Sequence, residues 1–211
     1  MRTNIDSISK PALRRMPHYL NYLYEKKNDG VTHISSTVIA EELDLNPVKV
    51  RKDLARTGVI GKPKTGFDVD ELILNITELL GYNNSHEAVL VGAGQLGRAL
   101  LSYKGFASYG LNIVVAFDTD ESICNRKING KKVFHLSKIK ELVSRLKIRI
   151  GVITVPAKNA QDICDLLIES GVLAIWNFAP VHLKVPDNIL VQNENMAASL
   201  AILSQHLKEK R

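Results

Sequence analysis

The feature that most constrains this chain is a glycine loop set between an apolar run and a helix-forming run. Leu90-Val91-Gly92-Ala93-Gly94-Gln95-Leu96-Gly97-Arg98 reads G-x-G-x-x-G. Alone the pattern is common, but in this setting each glycine has a task. Gly92 makes the tight turn, Gly94 lets backbone approach a pyrophosphate, and Gly97 lets the helix close on the strand. The phosphates then meet unpaired N–H groups at the helix N-terminus, where the helix dipole favours anions. A second mark is an acid at the end of the next strand. Val114-Val115-Ala116-Phe117-Asp118 supplies it, 26 residues after Gly92, where about 20 is usual. A carboxylate there accepts from both ribose hydroxyls and repels a 2′-phosphate, which favours NAD(H) over NADP(H). Asp120 is the rival for that role, and Arg126 and Lys127 lie close enough to temper the preference. The alternative is a glycine turn in a sheet that binds nothing.

Around the loop the texture is that of an α/β protein. From Glu87 onward, strands read over 88–91, 113–117, 150–155, 174–177 and 189–191, with helices near 95–104, 137–146 and 158–170. Alternation of this kind predicts a Rossmann-type parallel sheet over 86–193. A last helix, about 195–208, carries Met196, Leu200, Leu203 and Leu207 on one side. It must cover that side either on its own sheet or on another copy of the chain, which makes 194–211 a candidate dimerisation segment.

The first 82 residues read differently. Ser9-Lys10-Pro11 opens a helix over 10–27, with Leu13, Met16, Leu20 and Leu23 at helical spacing and Pro17 predicting a kink. Ser35 or Ser36 caps a second short helix with Val38, Ile39 and Leu43 inward. Asn46-Pro47 caps a third, running to about Thr57, and a fourth spans 69–80. Gly58, Gly61, Pro63 and Gly66 break the segment between the last two. Between Pro47 and Gly66 stand six basic residues, Lys49, Arg51, Lys52, Arg56, Lys62 and Lys64, and one acid, Asp53. Lys49, Lys52 and Arg56 share a stripe opposite Val50 and Leu54, so the second and third helices form a helix-turn-helix with a basic wing. Arg14 and Arg15 are further phosphate or minor-groove candidates. A solvated basic face on an ordinary helix is the alternative for all of these.

Composition narrows the rest. The chain has 211 residues, 45% hydrophobic, and no apolar run near the roughly 18 residues of a membrane span. Met1-Arg2-Thr3-Asn4 leads into no signal-peptide core, and the two cysteines, Cys124 and Cys164, read as reduced thiols of a cytoplasmic protein. No metal-ligand cluster stands out. The net charge of +6 is uneven: residues 1–85 carry 12 Lys+Arg against 11 Asp+Glu, the remainder 16 against 11. A hydride-transferring enzyme needs a proton donor or acceptor near its substrate. His182 is the one candidate, and no substrate domain is left once the sheet is assigned.

The chain resembles the Rex family of redox-sensing repressors along nearly its whole length. The parallels run in order: Ile34-Ser35-Ser36, Val50-Arg51-Lys52-Asp53-Leu54, the glycine loop with Tyr103-Lys104-Gly105-Phe106, and Ala116-Phe117-Asp118. Later come Ile153-Thr154-Val155-Pro156-Ala157 with Ala160-Gln161, Ile175-Trp176-Asn177-Phe178-Ala179-Pro180, and Glu194-Asn195 with Ser199-Leu200-Ala201. The resemblance implies a winged-helix domain and a Rossmann domain in a homodimer with exchanged C-terminal helices. It implies a non-enzymatic repressor that senses the NADH/NAD ratio, binding palindromic double-stranded operator DNA when NADH is low and releasing it when NADH binds. Carried over, Gly92, Ala93, Gly94, Gln95, Leu96 and Gly97 cradle the pyrophosphate and Asp118 holds the ribose. Thr154, Val155, Pro156, Asn177 and Phe178 lie near the nicotinamide, while Ser35, Ser36, Lys49, Arg51, Lys52 and Arg56 face DNA. Two departures stand out: Gln95 where the family usually has Asn, and the 55–64 segment, whose Arg56, Thr57 and Lys64 replace residues the family tends to hold constant.

Overall fold

The computed structural model describes residues 8–209, with the side chain of Glu209 left out. Met1-Arg2-Thr3-Asn4 and the last two residues of the 194–211 segment lie outside them. The chain divides at Asn84/Ser85 into two compact units, inside the polar stretch 81–86 that separates the two sequence textures.

The first unit is a small helical fold with a two-stranded ribbon. Helix α1 (Lys10–Asn28) has proline in its first turn, but the Ser9 hydroxyl makes no capping hydrogen bond. The helix continues through Pro17 rather than ending there. After β1 (His33–Ile34) comes α2 (Ser36–Glu42), capped by Ser35, whose hydroxyl accepts from the Val38 N–H at 3.2 Å. Helix α3 (Pro47–Ala55) starts at Asn46, whose side chain accepts from the N–H groups of Val48 and Lys49. Strand β2 (Phe67–Asp68) pairs antiparallel with β1, and Asp68 caps α4 (Val69–Leu79). Met16, Tyr19 and Leu23 of α1, Ile39 of α2, Val50 and Leu54 of α3, and Leu72 and Ile76 of α4 are fully buried together. Of the three α2 residues expected inside, only Ile39 is. Seven residues make under two turns, so the buried face is narrow; Leu43 is half-buried and Val38 is 41% exposed.

The second unit is a seven-stranded sheet. Its elements are β3 (His86–Val91), α5 (Gln95–Ser102), β4 (Leu111–Asp118), β5 (Lys127–Ile128), β6 (Lys131–His135), α6 (Ile139–Leu146), β7 (Ile150–Ile153), α7 (Ala157–Glu169), β8 (Ala174–Asn177), β9 (Leu190–Asn193) and α8 (Met196–Glu209). Spatially the strands run β5-β6-β4-β3-β7-β8-β9, all parallel except for β5. This is the doubly wound order, with the reversal between β3 and β7. One face buries Val89, Val91, Phe117, Val143, Ile153 and Leu167 under α6 and α7. The other buries Ala88, Leu90, Leu101, Ala116 and Val152. Strand β7 stops at Ile153, earlier than expected, because Thr154 turns away toward β3 and Pro156 opens α7. The β5–β6 hairpin was not foreseen, although Asn129-Gly130 joins it in left-handed conformation at both residues (φ 48° and 80°), the geometry a two-residue hairpin turn demands. No described helix is long and apolar enough to cross a membrane, and no described cluster of three or more His, Cys, Asp or Glu is arranged to hold a metal.

Candidate functional site

At the reversal, the C-terminal ends of β3, β4 and β7 open a cleft of about 360 Å³. It is lined by Gly92 and Gly94, Asp118 and Thr119, Thr154, Val155 and Pro156, and the first turns of α7. Open α/β sheets bind ligands at this position. The three glycines differ in what confines them. Gly92 has φ +99°, and a side chain there would meet the Thr154 carbonyl at about 3.0 Å. A β-carbon on Gly97 would run into the Gly92 carbonyl oxygen. At Gly94, by contrast, the β-carbon direction holds nothing within 4 Å, so the loop offers its backbone to open space there.

Asp118 ties this loop to β4. Its Oδ2 accepts from the Ala93 N–H at 2.6 Å, and Oδ1 accepts from the N–H groups of Thr119 and Asp120 at 2.7 and 2.9 Å. A carboxylate has about four acceptor positions, so it retains capacity for a hydroxylated ligand. Asp120 is fully exposed. Hydrogen bonds from Ser122 hold its carboxyl below the usual range, and the nearby charges of Arg98 and Arg126 push it the same way. Arg98 also donates from Nε to the Ala93 carbonyl at 3.0 Å. Thr154 spends its hydroxyl on the loop, donating to the Val91 or Gly92 carbonyl at 3.0 and 2.7 Å.

In the first unit, Lys49, Arg51, Lys52 and Arg56 are all exposed on α3 and just beyond it, and Lys62 and Lys64 on the following loop. That loop closes through a Lys62–Gly66 bridge, and Ile60, just before it, is 84% exposed. Asp53, the one acid of the basic segment, points inward. It is 4% exposed and accepts from Arg15 Nε at 2.7 Å, Arg15 Nη2 at 3.0 Å and the Tyr19 hydroxyl at 2.8 Å. The outward side of α3 therefore carries basic residues and no acid. Burial, then the bond to Asp53, pushes the Tyr19 hydroxyl up to about 12, and the same carboxylate raises Arg15.

Comparison with known proteins gives both halves a context. Residues 83–181 match a family model described as "CoA binding domain", and residues 7–55 one described as "Putative DNA-binding protein N-terminus". The redox-sensing transcriptional repressor Rex of Treponema denticola is 41% identical over 95% of this chain and 96% of that protein. The protein of the same name from Clostridium beijerinckii is 38% identical over 96% of each. This chain belongs to the Rex family of redox-sensing transcriptional repressors. Among solved structures, that of RSP in complex with β-NAD+ and operator DNA matches at TM-score 0.91 and 34% identity, covering 96% of this chain and 94% of that one. RSP in complex with β-NADH matches at TM-score 0.87 and 33% identity, over 97% and 96%.

Within this family, the structure gathers Gly92, Gly94, Asp118, Thr154, Val155 and Pro156 at one cleft. Ala93 is buried behind it, and Gln95 and Leu96 are exposed on the first turn of α5. Asn177 and Phe178, read as neighbours of the nicotinamide, do not line this cleft. The Asn177 side chain is fully buried and spent on the 179–193 region: its amide donates to the Ala179 and Val181 carbonyls and to Asn193 Oδ1, while its own oxygen accepts from the Ala179 N–H. Phe178 packs on the opposite face of the sheet, its ring 4.9 Å from that of Trp176. Arg15, read as a phosphate or minor-groove candidate, pairs with Asp53, its two bonded nitrogens holding α3 against α1, and its side chain is 25% exposed. Arg14 is exposed, Ser36 half-buried. Reasoning from sequence missed Thr119, Leu136, Asn159, Asp162 and Ile163 in the cleft wall. The spacing of 159, 162 and 163 on a helix opened by Pro156 was the available signal.

Proposed function

We propose that this Rex-family chain is a cytoplasmic repressor that binds NAD(H) in the β3–β4–β7 cleft and palindromic operator DNA through α3 and the basic loop after it. In this reading NADH releases the DNA. The observation that carries it is the loop and carboxylate seen together: Gly94 turns its backbone to open space while Asp118 stands at the end of β4, bonded to the neighbouring Ala93 N–H. A pyrophosphate fits the first and an adenosine ribose the second, with Thr154 holding the loop in shape. The nicotinamide ring is cationic when oxidised and neutral when reduced. Val155 and Pro156 offer it an apolar wall, which costs less to approach for a neutral group than for a cation.

The same reading makes the protein a homodimer whose two α8 helices are exchanged. Met196, Leu200, Leu203 and Leu207 are 62–68% exposed in the single chain, a continuous apolar side that a second copy would cover. A ligand shifts a conformational balance only by binding one state better; an arm crossing between subunits gives the bound nucleotide such a state to favour. Isothermal titration of the purified chain with NADH, NAD+, NADPH and coenzyme A tests the cleft. The result expected is NADH bound most tightly. Coenzyme A bound with no response to NADH would defeat the assignment.

A further inference from the structure

The chain's positive charge has a second concentration, apart from its DNA-reading helix. Residues 126–149 hold nine of the 28 Lys+Arg residues and one of the 22 Asp+Glu residues. The rest of the chain carries 19 basic residues against 21 acidic ones, so this stretch of 24 residues more than accounts for the whole net charge of +6. It comprises the hairpin β5–β6 at the outer edge of the nucleotide unit, then α6, with Lys147 and Arg149 between α6 and β7.

On α6, Lys140 pairs with Glu169 at 2.7 Å, but the hairpin itself is not neutralised. In the hairpin register Lys127 stands directly opposite Lys132, an arrangement that costs stability rather than adding it. Among the described residues, neither lysine has a carboxylate partner. Lys132 instead lies over the Phe134 ring, 4.7 Å from its centroid. Beside that ring a groove of about 330 Å³ runs from the hairpin to α6, with Phe134 and Leu142 in its walls and His135, Lys138 and Arg145 along it. Glu141 is the one acid in the groove, shared between Lys138 at 3.6 Å and Arg145 at 3.4 Å. A lysine or two is enough to protect a sheet edge from pairing with another chain. That purpose does not reach Lys138 and Arg145, which lie beyond the strands on α6 and the turn before it.

We infer that the β5–β6–α6 edge is a second polyanion surface, one that holds the phosphate backbone of duplex DNA outside the operator. The inference rests on the reading of this chain as an operator-binding protein, because it supplies the duplex. The sources are the flanks of the same duplex or a second duplex segment; the chemistry is the same for both. Such binding carries no sequence information and acts through counterion release, so it shows in the salt dependence of affinity.

The test uses the full-length protein and a triple variant, Lys132→Gln, Lys138→Gln and Arg145→Gln, all exposed and outside the nucleotide cleft. Binding is measured against salt on the shortest operator duplex that selection yields and on the same duplex extended at both ends. Two-colour co-capture of a second, unrelated duplex is measured in parallel. On the extended duplex, the wild type is expected to show the steeper slope. The variant should show a slope smaller by roughly 0.9 for each phosphate it no longer neutralises, with no change on the short duplex. If only co-capture falls in the variant, the surface holds a second duplex instead. Equal slopes on both duplexes together with unchanged co-capture would overturn the inference while leaving operator binding intact. Failure of the wild type to bind the short operator would strike the underlying reading instead. Unaltered NADH titration of the variant shows that its fold is preserved.

Discussion

The Asp53 carboxylate carries more of the first unit than its neighbours do, because three donors from α1 converge on it while it is almost fully buried. Removing one partner of such a pair leaves the other uncompensated. Asp53→Ala is expected to lower unfolding free energy by about 3 kcal/mol, the low end for a buried pair because Arg15 is 25% exposed; chemical denaturation measures it. The Tyr19 hydroxyl adds a pH signature. Its folded value of about 12 lies above the ordinary 10, so the unfolded chain loses that proton first. The contribution is complete below pH 10 and drains away as pH rises toward 12, which thermal melts across that window would register. None of this was legible in sequence, where Asp53 is simply an acid among bases and Arg15 stands 38 residues away. Asp118, by contrast, was legible from its place after a strand that follows the glycine loop. Asp118→Asn keeps an acceptor and removes the charge, so NADH affinity should fall by roughly tenfold to a hundredfold while discrimination against NADPH narrows. Unchanged selectivity in fluorescence titrations would take the carboxylate out of the ribose site.

Among the elements, those specified by their own residues were readable and those specified by a partner were not. The caps Asn46-Pro47 and Ser35, the apolar periodicity of α1 and α4, and the runs of β3, β4 and β8 are local signals, and they matched. Strand β6 has one fully buried residue, Val133, preceded by two lysines; its place in the sheet comes from pairing with β4, and only Asn129-Gly130 announced it. Helix α3 is the element on which DNA binding is expected to depend. Replacing Lys49, Lys52 and Arg56 together with alanine should flatten the salt dependence of operator binding, by roughly 0.9 for each phosphate left without its cation. Normal binding by that variant in a gel-shift titration would mean that the reading helix lies elsewhere. Helix α8 makes the opposite kind of prediction, since its five large apolar residues are all exposed, four of them along one side. Deleting residues 194–211 should convert a dimer to a monomer in light scattering. A dimeric truncation would show that the two copies meet through another surface.

For the whole molecule, one equilibrium joins the two units. The nucleotide unit offers a cleft with its loop already clasped by Asp118 and Thr154, and the winged unit offers a basic helix whose only acid is turned inward. Neither unit explains the other. A redox-responsive repressor needs both in one chain, with different affinity for NADH in the DNA-bound and DNA-free states. Reciprocity then requires that operator DNA weaken NADH binding by the same factor by which NADH weakens DNA binding. The most direct measurement is a fluorescence-anisotropy titration of the full-length protein on labelled operator, with NADH and NAD+ added in turn at constant salt. The expected result is release by NADH at concentrations where NAD+ leaves the complex intact. Release by neither nucleotide, or by both at the same concentration, would contradict a redox-sensing role for the cleft.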